Sequence, residues 1–215
     1  MEKRYESDMT RKEKRQNELK KLKSMTFKQK AAYIWEYYKG VFAGIIIAGV
    51  IISIGVQMFQ NSQLKSLLSI AVVDSNYNHD EQVEALQNDF LAYAGTGDKH
   101  EVVDVDTSLL SGDDYNAVVK MTVVMGAGTA DMMFCGEETY KKYKQQEAFL
   151  SWKEVLGDDY SKYEEYMTDD GRLDLEKCPN WEKYNMVYYS PVYAVVMSSS
   201  KNLENCIKFL EMMVQ

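Results

Sequence analysis

The chain has 215 residues, with 25 Lys/Arg against 33 Asp/Glu and a net charge of −8. Once a basic arm and an apolar span are set aside, about 150 residues remain, enough for one ordinary globular domain or two very small lobes. Three cysteines (Cys135, Cys178, Cys206) without C-x-x-C spacing and only two histidines (His79, His100) exclude a zinc pattern and allow at most one disulfide.

Charge is distributed unevenly. Residues 1–40 carry 12 Lys/Arg and 6 Asp/Glu, a balance of +6; residues 41–215 carry 13 and 27, a balance of −14. Residues 1–23, with the basic clusters RKEKR and KKLK, read as a disordered arm, frayed and partly helical, attracted to an anionic inner leaflet. Thr26 and Gln29 then fit a capping box that starts a helix. Phe27, Tyr33, Trp35, Tyr37, Tyr38 and Lys39 crowd the edge of the following apolar stretch, where amphipathic rings settle among headgroups.

That stretch, Val41–Phe59, reads VFAGIIIAGVIISIGVQMF, and no charge interrupts the 25 residues between Lys39 and Lys65. As a helix these would extend about 37 Å, enough to cross a hydrocarbon core of about 30 Å with some tilt. Gly40, Gly44 and Ala48 recur at spacing four, a small-residue face suited to helix packing. The basic flank predicts a cytoplasmic N-terminus and an acidic domain outside. The basic region is longer than a usual signal n-region, and no A-x-A-like site or lipid-accepting cysteine follows Phe59. The expectation is a retained signal anchor in the cell membrane. Domains are expected at 1–24, 25–60 and 61–215. An outer charge of −14 argues against nucleic acid as a partner.

In the outer part, the apolar run Leu67–Asp74 predicts a buried parallel strand. Asn78 with Glu81 predicts the start of a helix burying Val83, Leu86, Phe90 and Leu91, stopped by Gly95. His100–Asp106 is a second strand. Ser111 with Asp114 predicts a second helix cap, with Val118, Met121, Thr122 and Met125 on the inner face and a stop at Gly126. Ala130–Gly136 is a third strand. Strand, helix, strand, helix, strand with short links predicts a doubly wound α/β sheet. After Gly136 the pattern loosens, and residues 137–186 read as a possible small second lobe. Met186–Ser200 predicts a strand pair or one strand broken at Pro191. Lys201–Gln215 predicts a last helix burying Leu203, Cys206, Ile207, Leu210 and Val214.

The segments GTADMMFCGEETYKKYKQQEAFLSWKEVL (Gly128–Leu156) and VYAVVMSSSKNLENCIKFLEMM (Val192–Met213) resemble parts of the extracytoplasmic solute-binding proteins of ABC transporters, the type 2 periplasmic-binding fold. Those proteins have about twice this length and two full lobes, and many are lipid-anchored. The layout also resembles uncharacterised single-span membrane proteins of Gram-positive gut bacteria. The resemblance implies a reduced, membrane-anchored solute-binding domain.

Catalytic patterns are absent: no G-x-S-x-G, H-E-x-x-H or P-loop occurs, and Gly126–Gly128 reads as a helix stop. The expectation is a protein that is not an enzyme, with no cofactor. In open α/β sheets ligands bind beyond the carboxyl ends of the strands. That rule points to Asp74, Asn76 and Tyr77 after the first strand and to Gly136 and Glu137 after the third, with Trp181, Tyr184, Tyr188 and Tyr189 expected to face the cleft. Rings with carboxylates suit a small solute, a glycan or a peptide. The alternative is a structural or assembly subunit that binds a membrane protein partner such as a transporter.

Overall fold

The computed structural model describes residues 10–215, the side chains of Ile34 and Tyr37 excepted. The chain divides into a unit ending at Ser62 and a unit spanning Gln63–Gln215.

In the first unit, α1 (Arg11–Ser24) starts from a full capping box. Thr10 N–H donates to Glu13 Oε2 at 2.9 Å, and Glu13 N–H donates to Thr10 Oγ1 at 3.4 Å. The expected frayed arm is therefore an ordered helix over these residues; charge clustering overshadowed a start signal present in T-R-K-E. Met25 and Thr26 are extended, and α2 (Phe27–Asn61) begins where Thr26 N–H donates to Gln29 Oε1 at 3.1 Å, as the sequence predicts. Within α2, Tyr38–Asn61 is long and apolar enough to cross a membrane. Val41, Ile45, Ile47, Ile51 and Phe59 along it are each more than half exposed.

The second unit is mixed α/β. It opens with β1 (Lys65–Val73), α3 (Asp80–Ala94), β2 (Glu101–Leu109), α4 (Tyr115–Ala127) and β3 (Met132–Cys135). It continues with α5 (Glu137–Lys144), β4 (Phe149–Leu150), α6 (Trp152–Leu156), β5 (Leu173–Asp174), α7 (Trp181–Tyr184), β6 (Tyr193–Met197) and α8 (Leu203–Val214), with short 3-10 turns among them. The six strands form one mixed sheet in the order β2-β1-β3-β6-β4, with β5 also on β6. β1 is parallel to both β2 and β3, whereas β6 is antiparallel to β3, β4 and β5.

Because β2 and β3 flank β1 on opposite sides, right-handed crossovers send α3 and α4 to opposite faces. One face buries Leu68, Ile70, Val72, Met132, Phe134 and Val196 under Leu86, Phe90, Trp152, Phe209 and Met213. The other buries Ala71, Val73, Met133 and Val195 under Met121, Val124, Tyr140 and Tyr143. β1, β3 and β6 read as near-continuous apolar runs because both of their faces are covered, whereas the edge strand β2 interleaves Asp104 and Asp106 with its valines.

Several local expectations are corrected. Neither Asn78 nor Ser111 caps a helix. The residue before α3 is His79, whose ring meets Asn76 O and Thr107 Oγ1 (2.9 Å), and α4 is capped by Asp114, which accepts from Asn116 and Ala117 N–H. α4 buries Ala117, Met121 and Val124 and leaves Val118 and Thr122 outward; it is apolar on nearly every side, so periodicity alone could not choose its face. It stops at Gly128, which takes the left-handed conformation at φ 61°. α8 buries Cys206, Phe209, Leu210, Met212 and Met213, while Leu203 lies at the surface. Only Tyr193–Met197 of the 186–200 segment is a strand; Val187 makes a single bridge to Ser75.

Residues 137–186 do not stand apart as a lobe. Trp152, Met167, Leu173, Leu175, Cys178, Trp181 and Tyr184 enter the same cluster as β1, β3 and β6.

Candidate functional site

At the carboxyl ends of β1 and β3 the chain leaves the sheet in two directions, and the gap between the exits is a cleft of about 310 Å³. It is lined by Asp74, Ser111, Gly136, Glu137, Glu138, Thr139, Tyr189, Ser190 and Pro191. Four residues named from the sequence, Asp74, Gly136, Glu137 and Tyr189, therefore meet in one place.

Each is held by a local cause. Asp74 has φ 51°, a left-handed conformation that Asp tolerates better than most residues, and turns the chain off β1. Its Oδ1 accepts from Ser111 N–H at 3.0 Å, which ties the loop before α4 to the end of β1. Tyr189 lies across the ends of both parallel strands, donating from its hydroxyl to Val73 O at 2.9 Å, with Phe134 O at 3.3 Å. Burial pushes its phenol well above the ordinary range. Gly136 makes room for that ring, since a Cβ there would sit 3.2 Å from Tyr189 Cδ2. Gly136→Ala should therefore shift the ring and cost about 1 kcal/mol in urea unfolding, the size of mild overpacking; an unchanged midpoint would show that the ring is not confined.

Glu137 opens α5 and is partnered from two sides, by Arg172 Nη1 and by Lys141 Nζ at 3.0 Å. The Arg172 hydrogen bond, then Lys141, hold its carboxyl below the usual range. The Arg172 guanidinium lies over two rings, 4.4 Å from the Tyr140 centroid and 4.0 Å from that of Tyr193, and its Nε reaches Asp170 Oδ1 at 2.7 Å. Thr139 is only 6% exposed, lines the cleft, and its hydroxyl has no hydrogen-bond partner among the described residues. Arg172, Thr139, Ser190 and Pro191 were missed from the sequence. The D-D-G run before Arg172 signals a turn, but nothing in the sequence tells which rings and carboxylates that turn will meet.

The other expected site residues lie elsewhere. Trp181 and Tyr184 are each 4% exposed and belong to the core: Trp181 packs edge-on to Phe134 at 5.6 Å, and the Tyr184 hydroxyl donates to Asp89 Oδ2 at 2.5 Å. They face α3 rather than the cleft because the segment carrying them lies on the sheet's other side. Tyr77 and Tyr188 are exposed outside the cleft, with Tyr77 N–H donating to the Tyr188 hydroxyl at 3.1 Å. Asn76 N–H donates to Met186 O at 2.9 Å, and its side-chain oxygen is buried without a partner.

Along α2, Phe27, Trp35, Tyr38 and Lys39 are exposed, Tyr33 is half-buried, and the Tyr37 side chain lies outside the described residues. Gly40, Gly44 and Ala48 share a stripe, and nothing lies within 4 Å of a Cβ built on either glycine.

A second cavity, of about 300 Å³, lies towards the amino end of β3 around Asp131. Asp131 is buried and accepts from Ser69 N–H (2.9 Å), Ser200 Oγ (2.8 Å) and Asn202 Nδ2 (3.0 Å), so it is a tie between β1 and the loop before α8. Cys135, Cys178 and Cys206 are buried free thiols, pushed up to about 12 by burial, and are poor nucleophiles. No cluster of three or more His, Cys, Asp or Glu suited to a metal ion occurs among the described residues.

The cleft thus offers hydroxyls, helix-start amides and carboxylates around one aromatic ring. Such a set has the donors and acceptors to hydrogen-bond a small polar molecule. In comparisons with known proteins, no family model, no curated protein and no solved structure matches this chain.

Proposed function

We propose that the chain is a non-enzymatic, membrane-tethered binding protein that recognises a small solute, glycan or peptide outside the cell and serves a transporter. In this reading Tyr38–Asn61 spans the membrane once, the basic flank stays in the cytoplasm, and Gln63–Gln215 is a reduced, solute-binding-like doubly wound domain. The observation that carries it is the cleft. Asp74, Gly136, Glu137 and Tyr189 converge where strand order reverses, the position at which open α/β sheets place ligands.

The test is thermal unfolding of the full chain in detergent against a panel of sugars, amino acids and short peptides. Binding only the native state adds about 2.7 kcal/mol at a ligand concentration 100 times Kd, a rise of several degrees. Asp74→Ala should abolish the rise for the active compound and also lower the unliganded midpoint, since it puts Ala at φ 51° and leaves Ser111 N–H without its acceptor. A panel without any rise, or a rise that survives Asp74→Ala, refutes the reading.

A second reading, a structural or assembly subunit, is favoured by one observation. Leu110, Tyr115, Val119 and Val123 leave an apolar strip exposed on and beside α4. In that case the panel stays silent and Val123→Lys, not Asp74→Ala, breaks crosslinking to a membrane partner.

A further inference from the structure

α1 is a helix without a core. None of its residues is buried, and its 14 residues hold seven Lys/Arg against two Glu. A helix of this length is marginal in water by itself, and several of its like charges stand three or four residues apart, as Arg11 and Arg15 do, where they repel. It needs a negatively charged surface more than it needs solvent.

Its geometry says which side would meet that surface. At 3.6 residues per turn, Arg11, Arg15, Leu19 and Leu22 fall on one stripe, flanked by Lys12 and Lys23 on one edge and by Lys14 and Lys21 on the other. Glu18 is the one acid on this side; Glu13, Lys20 and Ser24 take the opposite side. Leu19 is 58% exposed, so the apolar centre of the stripe is open. Long basic side chains on this face, with two leucines between them, suit attachment by cations that reach lipid phosphates. The location selects lipid over other polyanions. Only 13 residues separate Ser24 from Tyr38, about 20 Å at helical rise, and Phe27 and Trp35 are exposed along the way.

Resting on the membrane-span reading above, we propose that α1 lies along an anionic lipid surface through the Arg11, Arg15, Leu19 and Leu22 stripe, as a second, electrostatic attachment beside the span.

The experiment is amide hydrogen exchange of the full chain in nanodiscs of phosphatidylcholine alone or mixed with phosphatidylglycerol. Amides of Lys14–Lys23 should exchange at least about tenfold more slowly on the anionic discs, and high salt should remove the difference. Each basic residue near the surface contributes about 1 kcal/mol, about fivefold in adsorption. Arg11→Gln with Arg15→Gln should therefore erase most of the protection, and Lys20→Gln on the opposite side much less. Gln keeps helix propensity close to that of Lys and Arg, so the helix itself survives. Equal exchange on both disc types in an inserted chain overturns the proposal, as does protection by added RNA but not by anionic lipid. A chain that does not enter discs at all overturns the span as well.

Discussion

Arg172→Ala should lower the unfolding free energy of the Gln63–Gln215 unit by about 3 kcal/mol, read as a fall in the urea midpoint at unchanged slope. The guanidinium is 11% exposed and lies between the rings of Tyr140 and Tyr193, joining α5 and β6 to the turn before β5. Its carboxylate partners Glu137 and Asp170 are each about one-third exposed, so water screens their share of the loss. The larger part is the two desolvated ring contacts, each worth up to about 2 kcal/mol, and the packed stem. Arg172→Lys keeps the charge but not the flat fork, and should recover less than half. A loss below about 1 kcal/mol, the scale of a surface ion pair, would sink this account.

The same cluster sets a pH dependence. Burial works to raise the Asp170 carboxyl, but hydrogen bonds from Thr168, Arg172 and Lys144 outweigh it and bring it down to about 2. Its ordinary value is about 3.9. The stabilisation is therefore whole above about pH 4 and is lost as pH falls towards 2. The stability gap between wild type and Arg172→Ala should narrow through that window in acid titrations followed by tyrosine fluorescence, and a constant gap would contradict it.

Trp152→Ala should cost about 4 kcal/mol, enough to bring a domain of this size near collapse. Trp152 is fully buried on the α3 and α8 side of the sheet, and its indole N–H donates to Ala194 O at 2.8 Å. Ala194 belongs to β6, which holds β3 on one side and the short β4 and β5 on the other. Removing the ring leaves a cavity and takes one donor from the Ala194 carbonyl at that junction. Trp152→Phe fills most of the cavity and should recover about half, leaving only the lost indole hydrogen bond. Calorimetry on both variants checks this; equal losses would mean that the hydrogen bond counts for nothing.

The fold was legible where periodicity is strong and local. The strands at Leu67–Asp74 and Ala130–Gly136 show as apolar runs, that at His100–Asp106 as valines alternating with acids, and the helix between the first two strands shows in Leu86 and Phe90. From them came the expected doubly wound core, and from it the prediction that Asp74, Asn76, Tyr77, Gly136 and Glu137 lie beyond the carboxyl ends of the strands, of which Asp74, Gly136 and Glu137 line the cleft. α4 was misread because Val118, Val119, Met121, Val123 and Val124 leave almost no polar side to mark its surface. Residues 137–186 were misread as a lobe because short strands and 3-10 turns have no period, although their aromatic residues are core.

What the amino-acid order determined by itself is what depends on residues close together in the chain. The apolar length of Tyr38–Asn61, the capping of α2 by Thr26 and Gln29, and the alternation of strand and helix up to β3 are of this kind, since each needs only near neighbours. The tertiary structure decided what depends on distant residues meeting. Trp181 and Tyr184 went to the core because Phe134 and Asp89 were there to receive them. Glu137 became one arm of a cation cluster because a turn 35 residues later delivers Arg172 to it. Side-chain chemistry is written locally; its partners are chosen by how the sheet closes.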